Sequence, residues 1–118
     1  MRWSTRLLLS CFSVMASSAS MEFEVFGKVQ GVFFRKYTQA KARDLGLRGW
    51  CDNMKSGTVK GEAAGDQQAL DAFKDWLRNT GSPKSKIQKA EFRPCSKPAD
   101  QLPSPFEGGG AAAKRAIG

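Results

Sequence analysis

An antiparallel sheet carrying two helices on one of its faces, an α+β sandwich, is the fold class this sequence predicts, and three observations predict it. Short runs with an apolar period of two alternate with two longer runs at helical spacing, in the order βαββαβ. Glycines stand at the breaks between them, at Gly27, Gly46, Gly57 and Gly81. The length, 118 residues with 41% hydrophobic and 25% charged, suits one small domain and leaves little room for a second.

Each element has its own justification. Residues 22–26 alternate as E-F-E-V-F and stop at Gly27, which reads as a strand. Phe34, Thr38, Ala42 and Leu45 then recur at helical spacing, and Gly46 sits where a left-handed C-terminal cap falls. Residues 47–53 predict a second strand, 54–57 a tight turn and 58–64 a third strand, together a hairpin. Asp66 is placed to cap a second helix whose Leu70, Phe73 and Leu77 form an apolar stripe ending before Gly81. Residues 87–92 predict a fourth strand. With both helices on one face this is the split βαβ or ferredoxin-like arrangement. The helical stripes are assigned to the core, and Trp50 and Trp76 to the core or the sheet flank.

Three segments follow from this layout. Residues 1–20 hold no acid, two early arginines, an apolar run over 7–16 and then small residues, the order of a cleavable secretory signal. An Arg- and Ser-rich mitochondrial presequence, or a leader bypassed by starting at Met21 and leaving the protein in the cytoplasm, fits the same text. The apolar run is about half of the ~20 residues that span a bilayer, so no stable membrane anchor is expected. Residues 21–94 carry nearly all the periodic pattern and form the domain. From residue 95 to 118 prolines recur, three glycines adjoin three alanines, and only Leu102, Phe106 and Ile117 are large and apolar. Such a segment has little to bury against its ordering entropy and is expected to be disordered.

Composition narrows the chemistry. Nineteen Lys and Arg against eleven Asp and Glu give +8, and the domain alone has fourteen basic and nine acidic side chains, so an anionic partner suits it. The sequence contains no His, which excludes a Ser-His-Asp triad, a Cys-His pair and any His-ligated metal. Cys11, Cys51 and Cys95 form no CxxC pair, so neither a disulfide framework nor a closed zinc site is expected.

The most informative stretch is GKVQGVFFR, residues 27–35, in which two glycines flank a turn that follows a strand and opens a helix. Such a loop aims several backbone N–H groups at one point, and the helix N-terminus adds partial positive charge, so an anion fits there. Arg35 stands in the first helical turn, where its planar fork can hold two phosphate oxygens. A cation there works against the helix dipole, which favours a functional reason over a solvated surface role. Asn53, closing its strand before the turn MKSG, fits a local turn role. Beside the loop, its amide could instead orient a water with one donor and one acceptor.

Residues 22–92 resemble the acylphosphatase family. The matching text is FEVFGKVQGVFFRKYTQAKARDLGLRGWCDN, then SGTVKGEAAG, LDAFKDWL and GSPKSKIQKAEF, about 70 residues in all. Its specific part is the GxVQGVxFR run followed by GxRGWxxN, with Arg35 and Asn53 eighteen apart. The resemblance implies hydrolysis of a small acyl phosphate to a carboxylate and inorganic phosphate. It further implies that Arg35 and the backbone amides of Gln30, Gly31, Val32, Phe33 and Phe34 bind the phosphate, and that Asn53 positions the attacking water. A carboxylate leaving group makes a strong nucleophile unnecessary, so charge stabilisation and water orientation suffice, with no metal and no cofactor. Monomeric behaviour is expected.

Two departures stand against that match. Family members close the sheet with a further short strand, whereas this chain meets Pro94, Pro98, Pro103 and Pro105, poor material for one. Met54 replaces the Thr that often follows the Asn, which is expected to loosen hydrogen bonding there. The rival functions are a non-catalytic anion-binding or RNA-binding module of the same architecture and an inactive isoform lacking the closing strand. Nucleic acid is not expected, because residues 47–53 and 58–64 offer Trp50 as their sole stacking aromatic.

Overall fold

The computed structural model describes residues 18–95 and 97–108, with Ser18 described by its backbone alone. Within them lie β1 (Ser18–Lys28), α1 (Phe34–Asp44), β2 (Arg48–Asn53), β3 (Val59–Asp66), α2 (Gln67–Asn79), β4 (Lys86–Pro94) and a 3-10 turn (Ala99–Gln101). The strands form one antiparallel sheet in the order β2-β3-β1-β4, which is the predicted ferredoxin-like α+β fold.

Alternation along β1 fixes the register. Met21, Phe23 and Val25 turn to the helices and are buried, while Glu22 and Glu24 face the other side. Phe23 pairs with Gly61 of β3 and with Phe92 of β4, and the register with β4 shifts between Phe26 and Gly27, after which two further pairs lead to the loop. The stripes on α1 (Phe34, Thr38, Ala42) and α2 (Leu70, Phe73, Leu77) are buried as read from their spacing. Phe73 sits edge-on to Phe23, with centroids 5.6 Å apart.

Gly46 caps α1 as expected. Its φ of 72° is left-handed, its N–H donates to the Arg43 carbonyl, and the Leu47 N–H reaches back to Ala42 at 2.9 Å, a Schellman closure. Asp66 stands at the N-cap of α2 but makes no capping hydrogen bond from its side chain.

The C-terminal segment differs from the expectation. Residues 97–108 form a strap that wraps the β2 edge. On the sheet face away from the helices, Leu102 packs with Trp50, Ala64 and Ala99. The strap then runs beside β2: the Gly49 N–H donates to the Pro103 carbonyl at 2.8 Å, the Glu107 N–H to the Gly49 carbonyl at 3.1 Å, and the Cys51 N–H to the Glu107 carbonyl at 3.0 Å. Trp50 and Glu107 form a parallel bridge, so the β2 edge is covered here by a proline-containing segment that its sequence marks as poor material for a closing strand. Just before that bridge Phe106 enters the main core, fully buried, with its ring 5.9 Å from that of Phe73. Disorder therefore does not hold for residues 97–108, because two large apolar side chains, one for each face of the sheet, offset the cost of ordering the segment. At the other end β1 starts at Ser18, three residues before the expected boundary. Residues 1–17 and 109–118, which carry most of the leader and the rest of the tail, lie outside the described residues, and among the described ones no helix is long and apolar enough to cross a membrane.

Candidate functional site

The end of β1 delivers the chain into a loop, residues 29–33, whose two ends are locked differently. Val29 and Val32 are buried in the main core and anchor it from below. Gly31 between them has φ 74°, a conformation a side chain adopts only under strain, and the turn depends on it. Phe33 also has a positive φ, 59°, although it carries a large side chain that is 72% exposed. A non-glycine residue held there is a strained position of the sort that gathers at functional sites.

Phe33 is the N-cap of α1, and the Tyr37 N–H closes the first turn onto its carbonyl at 3.1 Å. The amides ahead of Tyr37 thus have no helical partner. No acid occupies this first turn, which instead holds Arg35 and Lys36, so the helix N-terminus is electropositive both from its dipole and from its side chains. An open pocket of about 400 Å³ lies here, lined by Val29, Gly31, Phe33, Phe34, Arg35, Lys36, Gln39, Asn53 and Gly108.

Arg35 and Asn53, taken from separate motifs, meet in this pocket, and Gly31, Phe33 and Phe34 line it with them. Gln30 and Val32 do not. The Gln30 side-chain amide donates to the carbonyls of Met54 and Thr58, at 2.8 and 2.9 Å, which ties the loop to the β2–β3 turn immediately after Asn53. That turn closes through its backbone: the Met54 N–H donates to the Thr58 carbonyl at 2.8 Å, and the Met54 carbonyl accepts from Gly57 at 3.0 Å. Asn53 itself is exposed and lines the pocket.

Sequence reasoning missed four contributors. Asp52 forms an ion pair with Arg35, Oδ1 to Nη1, at 2.8 Å, and accepts the Asn53 N–H at 2.8 Å on the same oxygen. Lys36 adds a second cation. Gln39 Oε1 accepts the Gly108 N–H at 2.8 Å and so brings the end of the strap to the pocket wall. The adjacency of Asp52 to Asn53 was the one available signal; contact between α1 and the strap had none.

Neither described cysteine offers a nucleophile. Burial pushes the Cys51 thiol up to about 12, so it stays protonated. Cys95 is raised too, chiefly by burial and also by the carboxylate of Glu62.

Comparison with known proteins gives a consistent picture. The acylphosphatase family model matches residues 21–107, which takes in the strap. Over 73 residues the chain is 59% identical to Acylphosphatase-1 of Drosophila melanogaster, covering 62% of this chain and 61% of that protein. It is 54% identical to Acylphosphatase-1 of Xenopus tropicalis over 74 residues, 63% of this chain and 76% of that one. The human Acylphosphatase-1 is 52% identical over 73 residues, 62% of this chain and 74% of that protein. The chain thus spans about three fifths to three quarters of these curated relatives. Among solved structures it superposes on an acylphosphatase from Coxiella burnetii with a TM-score of 0.73 at 28% identity, covering 80% of this chain and 96% of that one. The acylphosphatase from Bacillus subtilis gives 0.66 at 30% identity, covering 77% and 98%.

Proposed function

The chain belongs to the acylphosphatase family, and from that premise we propose that it hydrolyses the mixed anhydride of small acyl phosphates, with Arg35 and the loop amides holding the phosphate and Asn53 orienting the attacking water. The observation that carries these roles is the convergence of Arg35 and Asn53 on one pocket at an acid-free helix N-terminus.

Charge governs each step. The phosphate enters with its non-bridging oxygens toward the amides of Gly31, Phe33, Phe34 and Arg35 along the pocket wall, where dipole and hydrogen bonds favour a dianion. Arg35 keeps its Nε and Nη2 edge for two of those oxygens, because Nη1 is engaged by Asp52. Asn53 presents a donor and an acceptor, enough to hold a water against the phosphorus opposite the acyl oxygen. The water oxygen bonds to phosphorus as the bond from phosphorus to the acyl oxygen breaks. The carboxylate departs with the electron pair of that bond, and a phosphate oxygen takes the water's proton. The developing charge on the equatorial oxygens is met by groups already in place. Nothing in this sequence of events calls for imidazole or thiolate, in keeping with the absence of His and the protonated Cys51.

The test is benzoyl phosphate hydrolysis by the full chain, in buffer containing a chelator, beside Arg35→Ala. The parent is expected to turn over and the variant to lose about 10²- to 10³-fold in kcat/KM while still melting cooperatively, since what it loses structurally is one partly exposed ion pair with Asp52. A cooperatively melting parent without turnover points to the non-catalytic anion-binding module, and near-normal turnover in the variant removes Arg35 from its role.

A further inference from the structure

Asp52 lies beside the pocket and is absent from the roles assigned above. One of its oxygens, Oδ1, accepts from Arg35 Nη1 at 2.8 Å and from the Asn53 backbone N–H at 2.8 Å. The carboxylate therefore links the two residues that the acyl phosphate reading relies on, although they sit on different elements. Its side chain is 21% exposed and that of Arg35 36%, so the pair is sheltered yet reaches solvent, as a group bordering an open site must be.

We propose that Asp52 is a positioning residue that sets the spacing between the Arg35 guanidinium and Asn53, and that its charge weakens retention of the phosphate product. The proposal rests on Arg35 holding the phosphate. Geometry supplies its first half: a guanidinium has five N–H donors in one plane, and fixing Nη1 selects which edge turns toward the pocket. Without Asp52 the side chain is free to rotate, and no other acid is described as an ion-pair partner of Arg35. Charge supplies the second half. A carboxylate bonded to the phosphate-binding arginine offsets part of its attraction for a dianion. The bound product is inorganic phosphate, and a site built of Arg35, Lys36 and a helix N-terminus with no counter-charge would release it slowly.

Two variants separate the halves. Asp52→Asn keeps an acceptor oxygen in place and removes only the charge, whereas Asp52→Ala removes both. The full chain and both variants are assayed with benzoyl phosphate for kcat and KM, and with added inorganic phosphate for its inhibition constant; urea unfolding confirms the fold of each. The inhibition constant for phosphate is expected to fall about three- to tenfold in both variants. The kcat is expected to fall about tenfold or more in Asp52→Ala, and Asp52→Asn is expected to recover most of that loss. A merely structural Asp52 would change stability and leave phosphate inhibition alone. Unaltered phosphate inhibition in Asp52→Asn overturns the charge role, and this variant answers that question even if the alanine variant does not fold. Equal kcat in the two variants overturns the positioning role. Failure of the underlying acyl phosphate reading shows separately, as absence of turnover in the parent chain or its persistence in Arg35→Ala.

Discussion

The loop of residues 29–33 and the strap of residues 97–108 are both irregular backbone, yet they are held by opposite means. The loop is fixed mainly through its own backbone and the elements it joins: Gly31 supplies the turn, Val29 and Val32 plug into the core, and α1 begins directly after it, with Gln30 adding a tie to the β2–β3 turn. The strap is fixed by groups far away in sequence. Arg48 donates to the Leu102 carbonyl at 2.9 Å across 54 residues, and Arg43 to the Phe106 carbonyl at 2.8 Å across 63. The difference teaches that a proline-rich stretch with few apolar residues can be ordered by two anchors, provided that the sheet offers each of them a pocket.

The strap's dependence on its anchors gives the largest expected effect. Phe106 is fully buried against Phe73, so Phe106→Ala is expected to lower the unfolding free energy by about 3–5 kcal/mol. Urea denaturation reads this directly. For a domain of this size that is a large part of the whole stability. A loss below about 1 kcal/mol, the range of an exposed side chain, would show that the strap lies on the fold without being part of it, and the contrast between the two regions would collapse.

At the loop the corresponding change acts on turnover and spares stability. Asn53 is exposed at the pocket, and Asn53→Ala is expected to cost about 10²- to 10³-fold in kcat, while stability moves by less than about 0.5 kcal/mol. Benzoyl phosphate kinetics with a parallel melt would show the split. A variant that loses stability and keeps its rate would assign Asn53 to the turn alone.

Most of the fold was legible because its signals are local. The E-F-E-V-F alternation, the stripe of Leu70, Phe73 and Leu77 and the cap at Gly46 each depend on residues within two turns or one strand of one another. The candidate pocket was legible for the same reason where its lining is contiguous text, as at Gly31, Phe33, Phe34 and Arg35. It was not legible where partners meet through the fold. Asp52 finds Arg35 across 17 residues, Gln30 turns its side chain to Met54 and Thr58 instead of the pocket, and Gly108 arrives beside Gln39 from 69 residues away. Leu102 and Phe106 carried no periodicity to mark them, since prolines separate them and the two side chains enter different sides of the sheet.

Phe33 sharpens the contrast with the smallest effect. In a left-handed conformation its Cβ crowds the following carbonyl, at roughly 1–2 kcal/mol for an L-residue, and with the ring 72% exposed little burial compensates. Phe33→Gly removes that crowding but adds conformational freedom to the unfolded chain, which offsets about 0.5–1 kcal/mol of the gain. The net expectation is a stabilisation of about 0–1.5 kcal/mol, a rise of up to several degrees in Tm, accompanied by altered KM because Phe33 lines the pocket. No comparable gain is available in the strap, where Leu102 and Phe106 are both buried and any truncation loses packing. If Phe33→Gly instead destabilised the protein by more than 1 kcal/mol, the ring would have to be holding the loop in place beside Val29 and Val32, and the left-handed backbone would not be where the strain lies.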